Sequence, residues 1–159
     1  MKIGLGIDTH KLIPGKFLLL AGVNIECDKS IEAYSDGDIV YHAIADAIYG
    51  CLGLGDIGEQ FPDTNPENSN IDSSIIIKHA YSKLSDNNFK INNVDITILL
   101  QTPKISVYKD NMKDNISSLL ACQTSDINIK GSTNEGLGFI GEERGISCYA
   151  IVSLIESDL

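Results

Sequence analysis

The stretch Met1-Lys-Ile-Gly-Leu-Gly-Ile-Asp-Thr-His10 decides how the rest of the chain is read. Ile3, Leu5 and Ile7 alternate with Lys2, Gly4, Gly6 and Asp8, which is the two-residue period of a β-strand. Residues two apart share a face, so Asp8 and His10 project from one side with Cα atoms roughly 6.6 Å apart at a rise of about 3.3 Å per residue. A carboxylate and an imidazole at that separation suit one small divalent ion. A third ligand must come from elsewhere, and His42 is the best placed of the two remaining histidines because it lies on a helix behind a capping signal. Asp-His-His with a vacant fourth position is the pattern of a catalytic zinc site.

Working outward, Phe17-Leu-Leu-Leu-Ala-Gly-Val-Asn-Ile25 reads as a second strand, paired with the first as a hairpin. Ser35-Asp-Gly-Asp38 matches a capping box ahead of a helix from about 38 to 50, with Val40, Ala43, Ile44, Ala47, Ile48 and Cys51 as its core stripe. His42 and Asp46 are four apart, close enough for the carboxylate to orient the imidazole. Residues 51–72 are rich in Gly, Pro, Asn and Asp. An irregular segment of about twenty residues in a compact domain reads either as a solvated connector or, as apolar Phe61 and the Gly-flanked segments favour, as a substrate loop that orders when occupied.

A second helix is expected over 72–86, with His79 as a surface histidine. Val94–Leu100 follows as a central strand, closed by Gln101-Thr-Pro-Lys104. A third helix is expected over 104–120, where Lys104 at the N-terminus opposes the helix dipole unless a phosphate sits there. Short and long strands at 126–131 and 145–155 flank Ser132-Thr-Asn-Glu-Gly-Leu-Gly-Phe-Ile-Gly141. Its hydroxyls, carboxylate and glycines can hold a phosphate and its divalent cation. The order β-β-α-α-β-α-β-β predicts an α+β domain with helices packed on one face of a mixed sheet.

The chain of 159 residues, 43% apolar and 21% charged, is expected to be one catalytic domain over 1–159. No apolar run approaches the ~18 residues of a membrane span. No charged n-region precedes an apolar stretch, so a cytoplasmic location is expected. Cys27, Cys51, Cys122 and Cys148 form no CxxC pair and read as buried free thiols. A net charge of −10, from 22 acidic and 12 basic residues, disfavours nucleic acid and anionic membranes as partners. An anionic substrate would then need bound cations.

Together, Asp8-Thr-His10, Ser35-Asp-Gly-Asp38 with His42, Asp56-Ile-Gly58, Phe61-Pro-Asp63, Thr102-Pro-Lys104 and Thr133-Asn-Glu135 with Leu137-Gly-Phe139 closely resemble the 2-C-methyl-D-erythritol 2,4-cyclodiphosphate synthase family of non-mevalonate isoprenoid biosynthesis. The resemblance spans nearly the whole chain. It implies a ferredoxin-like fold assembled as a homotrimer, with active sites between subunits and a nucleotide-linked phosphate substrate. Carried over by position, Asp8, His10 and His42 would bind Zn2+, and Glu135 would hold Mg2+ or Mn2+ with the substrate diphosphate. Asp56, Gly58, Phe61 and Asp63 would surround the methylerythritol part, Tyr34 would lie beside the 2-phosphate, and Ser35 and Ile57 would also bind substrate. Leu100, Pro103, Lys104, Ser132 and Thr133 would contact the cytidine diphosphate part, and Phe139 completes the substrate-binding set. Tyr34 and Thr133 would act on the transition state.

The implied reaction is attack of the 2-phosphate of 4-diphosphocytidyl-2-C-methyl-D-erythritol 2-phosphate on its own β-phosphorus, expelling CMP. Two positions depart from the family pattern: Tyr34 stands where histidine is usual, and Glu142 where many members have arginine. A tyrosine can donate a hydrogen bond but carries no positive charge near neutral pH. Two other readings compete. One is a zinc phosphohydrolase using the same ligands, which would place water oxygen in its product. The other is a trimeric binding module that keeps its metals but has lost turnover through Tyr34.

Overall fold

The computed structural model describes residues 1–62 and 64–157. The N-terminal alternation continues past His10, and β1 spans Lys2–Pro14. It is followed by β2 (Phe17–Leu20), β3 (Val23–Glu26), β4 (Lys29–Glu32), α1 (Ile39–Leu52), the single turn α2 (Ile57–Gln60), α3 (Ser73–Asp86) and β5 (Phe89–Leu99). Then come α4 (Lys109–Leu120), β6 (Ile127–Ser132), the short α5 (Gly138–Gly141) and β7 (Gly145–Glu156). The main sheet has the order β4-β1-β7-β5-β6, with β5 and β6 parallel and the other pairs antiparallel. Burial alternates along each long strand: Gly4, Gly6, Ile96, Ile98, Cys148 and Ala150 face inward, whereas Ile3, Leu5, Ile7, Tyr149 and Ile151 are exposed. The helices therefore cover one face, as the α+β reading expected.

Several local expectations need correction. Phe17–Ile25 is two strands, β2 and β3, paired with each other. Ala21 and Gly22 both take left-handed backbone angles at the turn between them, and the first strand pairs with β4 and β7 instead. The N-cap of α1 is Asp38, not Ser35: its carboxylate accepts the N–H groups of Val40 and Tyr41, and those of Ala21 at 2.9 Å and Gly22 at 2.7 Å. One buried carboxylate thus fastens the β2–β3 turn to the start of α1. The segment 51–72 contains α2 and a 3-10 turn over Pro66–Asn68. Lys104 does not begin a helix, because a 3-10 turn over Ser106–Tyr108 precedes α4. Strand β5 starts at Phe89, ahead of the expected 94, with an irregularity between Ile91 and Asn93. All four cysteines are free, but only Cys51 and Cys148 are fully buried.

The packing of α1 on β1 places the candidate ligands. A Cβ on Gly4 would lie 2.0 Å from the Ala47 carbonyl oxygen, and one on Gly6 would lie 1.9 Å from that of Ala43. The helix backbone therefore rests directly on the strand, with alanines at the contact. Ile39, Ile44 and Ile48 fill the core on its other sides.

Gly6→Ala is expected to force strand and helix apart, because the neighbouring atom is backbone and cannot rotate away. Overpacking of this kind costs about 3 kcal/mol or more at a rigid site. Thermal denaturation should show a fall in Tm of roughly 6–12 °C for a chain of this size, together with reduced zinc retention.

Candidate metal centre and active site

The two elements joined at Gly4 and Gly6 carry the three candidate ligands. Asp8 and His10 lie on the inward face of β1, and His42 lies one residue before Ala43 on α1. Asp8 Oδ2 is 2.9 Å from His10 Nε2 and 3.0 Å from His42 Nδ1. Three ligand atoms, one from each residue, lie within 4.8 Å of one another. Burial opposes the charge of Asp8, but the hydrogen bonds from His10 and His42 outweigh it and hold its carboxyl far below the ordinary range. The same contact with Asp8 raises the His10 imidazole.

The outer nitrogens of both rings show why a cation fits between them. His10 Nδ1 is 3.2 Å from the Glu32 carbonyl oxygen, which can only accept, so that nitrogen carries the proton. His42 Nε2 is 2.9 Å from Ser73 Oγ and 3.2 Å from Ser35 Oγ. Ser73 is fully buried and donates its own proton to Asp36 in a short contact. Ser73 therefore accepts from His42. With both outer nitrogens donating, each ring in its neutral form directs an inner lone pair at the Asp8 carboxylate, and in its protonated form an N–H. A metal ion among these three atoms would take the place of those protons, and an outer-nitrogen donor to a carbonyl or hydroxyl is the usual support of a metal-bound histidine. The same logic excludes a serine-hydrolase reading of the Ser73-His42-Asp8 line, since the Ser73 proton is committed to Asp36.

The triad opens into a groove of about 470 Å³ lined by Tyr34, Ser35, Ile57, Gly58, Phe61 and Ile71 among others. Seven of the expected substrate residues (Asp8, His10, Tyr34, Ser35, Ile57, Gly58, Phe61) therefore share one groove. Asp56 caps α2 by accepting the Glu59 N–H at 2.9 Å and does not line the groove. Asp63 lies outside the described residues. A separate pocket of about 250 Å³ is lined by Leu100, Gln101, Pro103, Lys104, Ser132 and Thr133 with their neighbours. There Gln101 Oε1 is buried without a hydrogen-bond partner. Glu135 lies near that second pocket, accepting from Thr133 Oγ1 at 3.2 Å. Among the described residues the metal-capable cluster contains only Asp8, His10 and His42. Phe139 packs toward Gly145 and lines neither cavity.

Two second-order expectations fail. Asp46 is not the partner of His42, because the nitrogen turned away from Asp8, Nε2, is taken by Ser73 and Ser35; Asp46 instead accepts the Ile57 N–H at 3.1 Å and anchors α2. His79 is not a free surface histidine. Its Nδ1 is 2.9 Å from the Tyr49 hydroxyl, and its ring meets Phe61 edge to face at 5.2 Å. Burial, with Lys83 nearby, lowers its imidazole below the ordinary range. The spacing of Ser73 from any motif gave no signal that it would support His42; the link forms only when α3 packs on α1.

Comparison with known proteins agrees with this geometry. The YgbB family model matches residues 1–155. A 2-C-methyl-D-erythritol 2,4-cyclodiphosphate synthase from Caldicellulosiruptor bescii is 44% identical over 155 residues, covering 98% of this chain and 99% of that protein. One from Clostridioides difficile is also 44% identical, covering 98% and 96%. Among solved structures, the CDP complex of IspF from Plasmodium falciparum superposes with a TM-score of 0.88 at 40% identity, covering 99% of this chain and 97% of that one. The bifunctional IspDF from Campylobacter jejuni gives a TM-score of 0.94 at 40% identity over 99% of this chain, which spans 42% of that longer protein.

Asp8→Asn and His42→Ala are each expected to remove most bound zinc while leaving the chain folded, because each takes one of three ligands from an open site. Elemental analysis after dialysis, with circular dichroism as the folding control, checks this. Stoichiometric zinc in both variants would reject the ligand set.

Proposed function

The chain belongs to the YgbB family of 2-C-methyl-D-erythritol 2,4-cyclodiphosphate synthases, and we infer that it works as a phosphorus-oxygen lyase on 4-diphosphocytidyl-2-C-methyl-D-erythritol 2-phosphate. In this reading an oxygen of the 2-phosphate bonds to the β-phosphorus, the bond from that phosphorus to the α-phosphate oxygen breaks, and CMP leaves. No water enters. The observation that carries the reading is the Asp8-His10-His42 cluster at the head of a groove, with both outer histidine nitrogens already committed as donors.

Asp8, His10 and His42 would hold Zn2+ and Glu135 would hold Mg2+ or Mn2+; bound there, the ions polarise phosphoryl oxygens and offset charge crowded at the reacting phosphorus. The protein's own part is positioning. Phe61, Ile57 and Gly58 would shape the groove around the methylerythritol carbons, with Asp56 and Asp63 beyond them. Tyr34, partly exposed on the groove wall, would donate its phenolic proton to the 2-phosphate, with Ser35 alongside. Lys104 and the hydroxyls of Ser132 and Thr133 would bind the diphosphate, and Leu100 and Pro103 the cytidine. The partnerless Gln101 Oε1 is consistent with a pocket completed by a polar ligand.

The separation of the two pockets on one chain favours sites assembled between subunits. An uncovered sheet face favours the same assembly: Ile3, Leu5, Ile7, Tyr149 and Ile151 are each 39–63% exposed, and Leu5 pairs with Ile151 as Ile7 pairs with Tyr149. Such a contiguous apolar face marks an interface, and a homotrimer of ferredoxin-like subunits would bury it. No helix among the described residues is long and apolar enough to cross a membrane; a cytoplasmic enzyme without nucleic-acid partners is the proposed setting.

Purified protein incubated with this substrate, zinc and magnesium in oxygen-18 water is expected to release CMP and an unlabelled cyclic diphosphate. Label in the product would establish a phosphohydrolase instead, and absence of CMP would leave a binding module. Glu135→Gln should keep zinc but lose magnesium-dependent turnover, whereas Tyr34→His should preserve or raise turnover. An inactive Tyr34→His variant with full metal content would show that the groove is tuned to the phenol.

A further inference from the structure

We propose that Glu143 is a positioning residue that holds the Thr102-Pro103-Lys104 turn, one wall of the second pocket, against the strand that supports the metal centre. The proposal rests on the nucleotide reading of that pocket. Glu143 follows α5 with a backbone φ of +58°, a region that disfavours side chains and suits glycine. A glutamate at such a position needs compensation, and its carboxylate makes two contacts. Oε1 accepts from Thr102 Oγ1 at 2.8 Å, and Oε2 is 2.6 Å from Lys29 Nζ. The two partners belong to the two halves of the candidate site. Thr102 is followed by Pro103 and Lys104, which line the second pocket. Lys29 opens β4, pairs with Pro14, and leads to Glu32, whose carbonyl accepts from His10.

The neighbouring charges do not substitute for this tie. Arg144 is engaged with Glu142 at 2.7 Å, and Asp28 is the more distant partner of Lys29 at 3.3 Å. The Lys29 side chain is 17% exposed against 35% for Glu143, so the ion pair is partly shielded and is better placed than an open surface pair to fix geometry. Lys29 and Thr102 hold the Glu143 carboxyl below the ordinary range, as expected for an acceptor used on both oxygens. Free of this tie, the Thr102–Lys104 turn would keep its covalent path but lose its side-chain link to the β1–β4 edge.

Glu143→Gly separates the side chain from the backbone, since glycine relieves the left-handed angle while removing both contacts. Calorimetric titration with CDP is expected to show affinity about tenfold weaker than in the unmodified protein, the scale of one lost charge-assisted hydrogen bond. Zinc stoichiometry and Tm should be maintained, and Glu143→Gln, which keeps an acceptor for Thr102, should recover part of the loss. Thr102→Val should reproduce the effect and add little to Glu143→Gly, and it carries the test if the glycine variant fails to fold. CDP affinity unchanged in Glu143→Gly, or lost together with zinc, would overturn the proposal. If the unmodified protein does not bind CDP, the nucleotide reading fails. Amide exchange at Gln101, Thr102 and Lys104 still decides the present one: faster exchange in Glu143→Gly supports the tie, and equal exchange rejects it.

Discussion

The contact of α1 with β1 at backbone distance is the constraint on which the rest depends. Only the missing side chains of Gly4 and Gly6 let the carbonyls of Ala43 and Ala47 come so near the strand. With larger residues the helix would stand off by the width of a side chain, and His42 could not reach a carboxylate on the strand. The alternation of Gly4, Gly6 and Asp8 is thus one device used twice. Its first two positions seat the helix, and the third presents the carboxylate that His42 meets.

The same helix is capped at its N-terminus by a buried carboxylate. Asp38 is fully buried, and burial pushes its carboxyl up to about 6 against the pull of the Gly22, Ala21 and Tyr41 N–H groups. A folded pKa above the unfolded value means that this group favours the fold most strongly below the unfolded value of 3.8 and loses that contribution as pH rises through about 6. At neutral pH the ionised cap is therefore tolerated for what it organises: four backbone donors that would otherwise be buried without partners. Neighbouring Asp36 has a parallel task, fixing the Ser73 hydroxyl and N–H so that Ser73 can accept from His42.

Much of this was legible in the sequence, for identifiable reasons. Period-two and helical patterns located the long elements, and the Asp8-His10 spacing with His42 on the next helix picked out a cluster that could hold a metal ion, because strand and helix geometry leave little freedom there. Features that depend on tertiary contact were misread. Four-residue spacing suggested Asp46 as the support of His42, yet the ring turns toward Asp8 and leaves Asp46 to the start of α2. A polar neighbourhood suggested a surface position for His79, but Tyr49 and Phe61 come to it from other elements. Short strands such as β2 and β3 gave a single apolar run, since two residues of turn are too few to interrupt it.

For a strongly acidic chain, the proposed triphosphorylated substrate raises the question of where the attraction comes from. The net charge of −10 would repel such a ligand at long range, although at physiological salt exposed charges are screened beyond about 8 Å. Within that distance the arrangement changes sign. Asp8 is matched by two imidazoles that form with it a cluster able to hold a cation, Lys104 and Lys109 line the second pocket, and Glu143 is paired with Lys29. Acidic surface outside and locally compensated charge inside would favour a ligand only when its phosphates meet the metal centre and the lysine-lined pocket together. Discrimination by simultaneous engagement needs each pocket held firmly in its own subunit, the role that the close seating of α1 on Gly6 would have for the metal cluster and that the proposed Glu143–Thr102 tie would have for the second pocket.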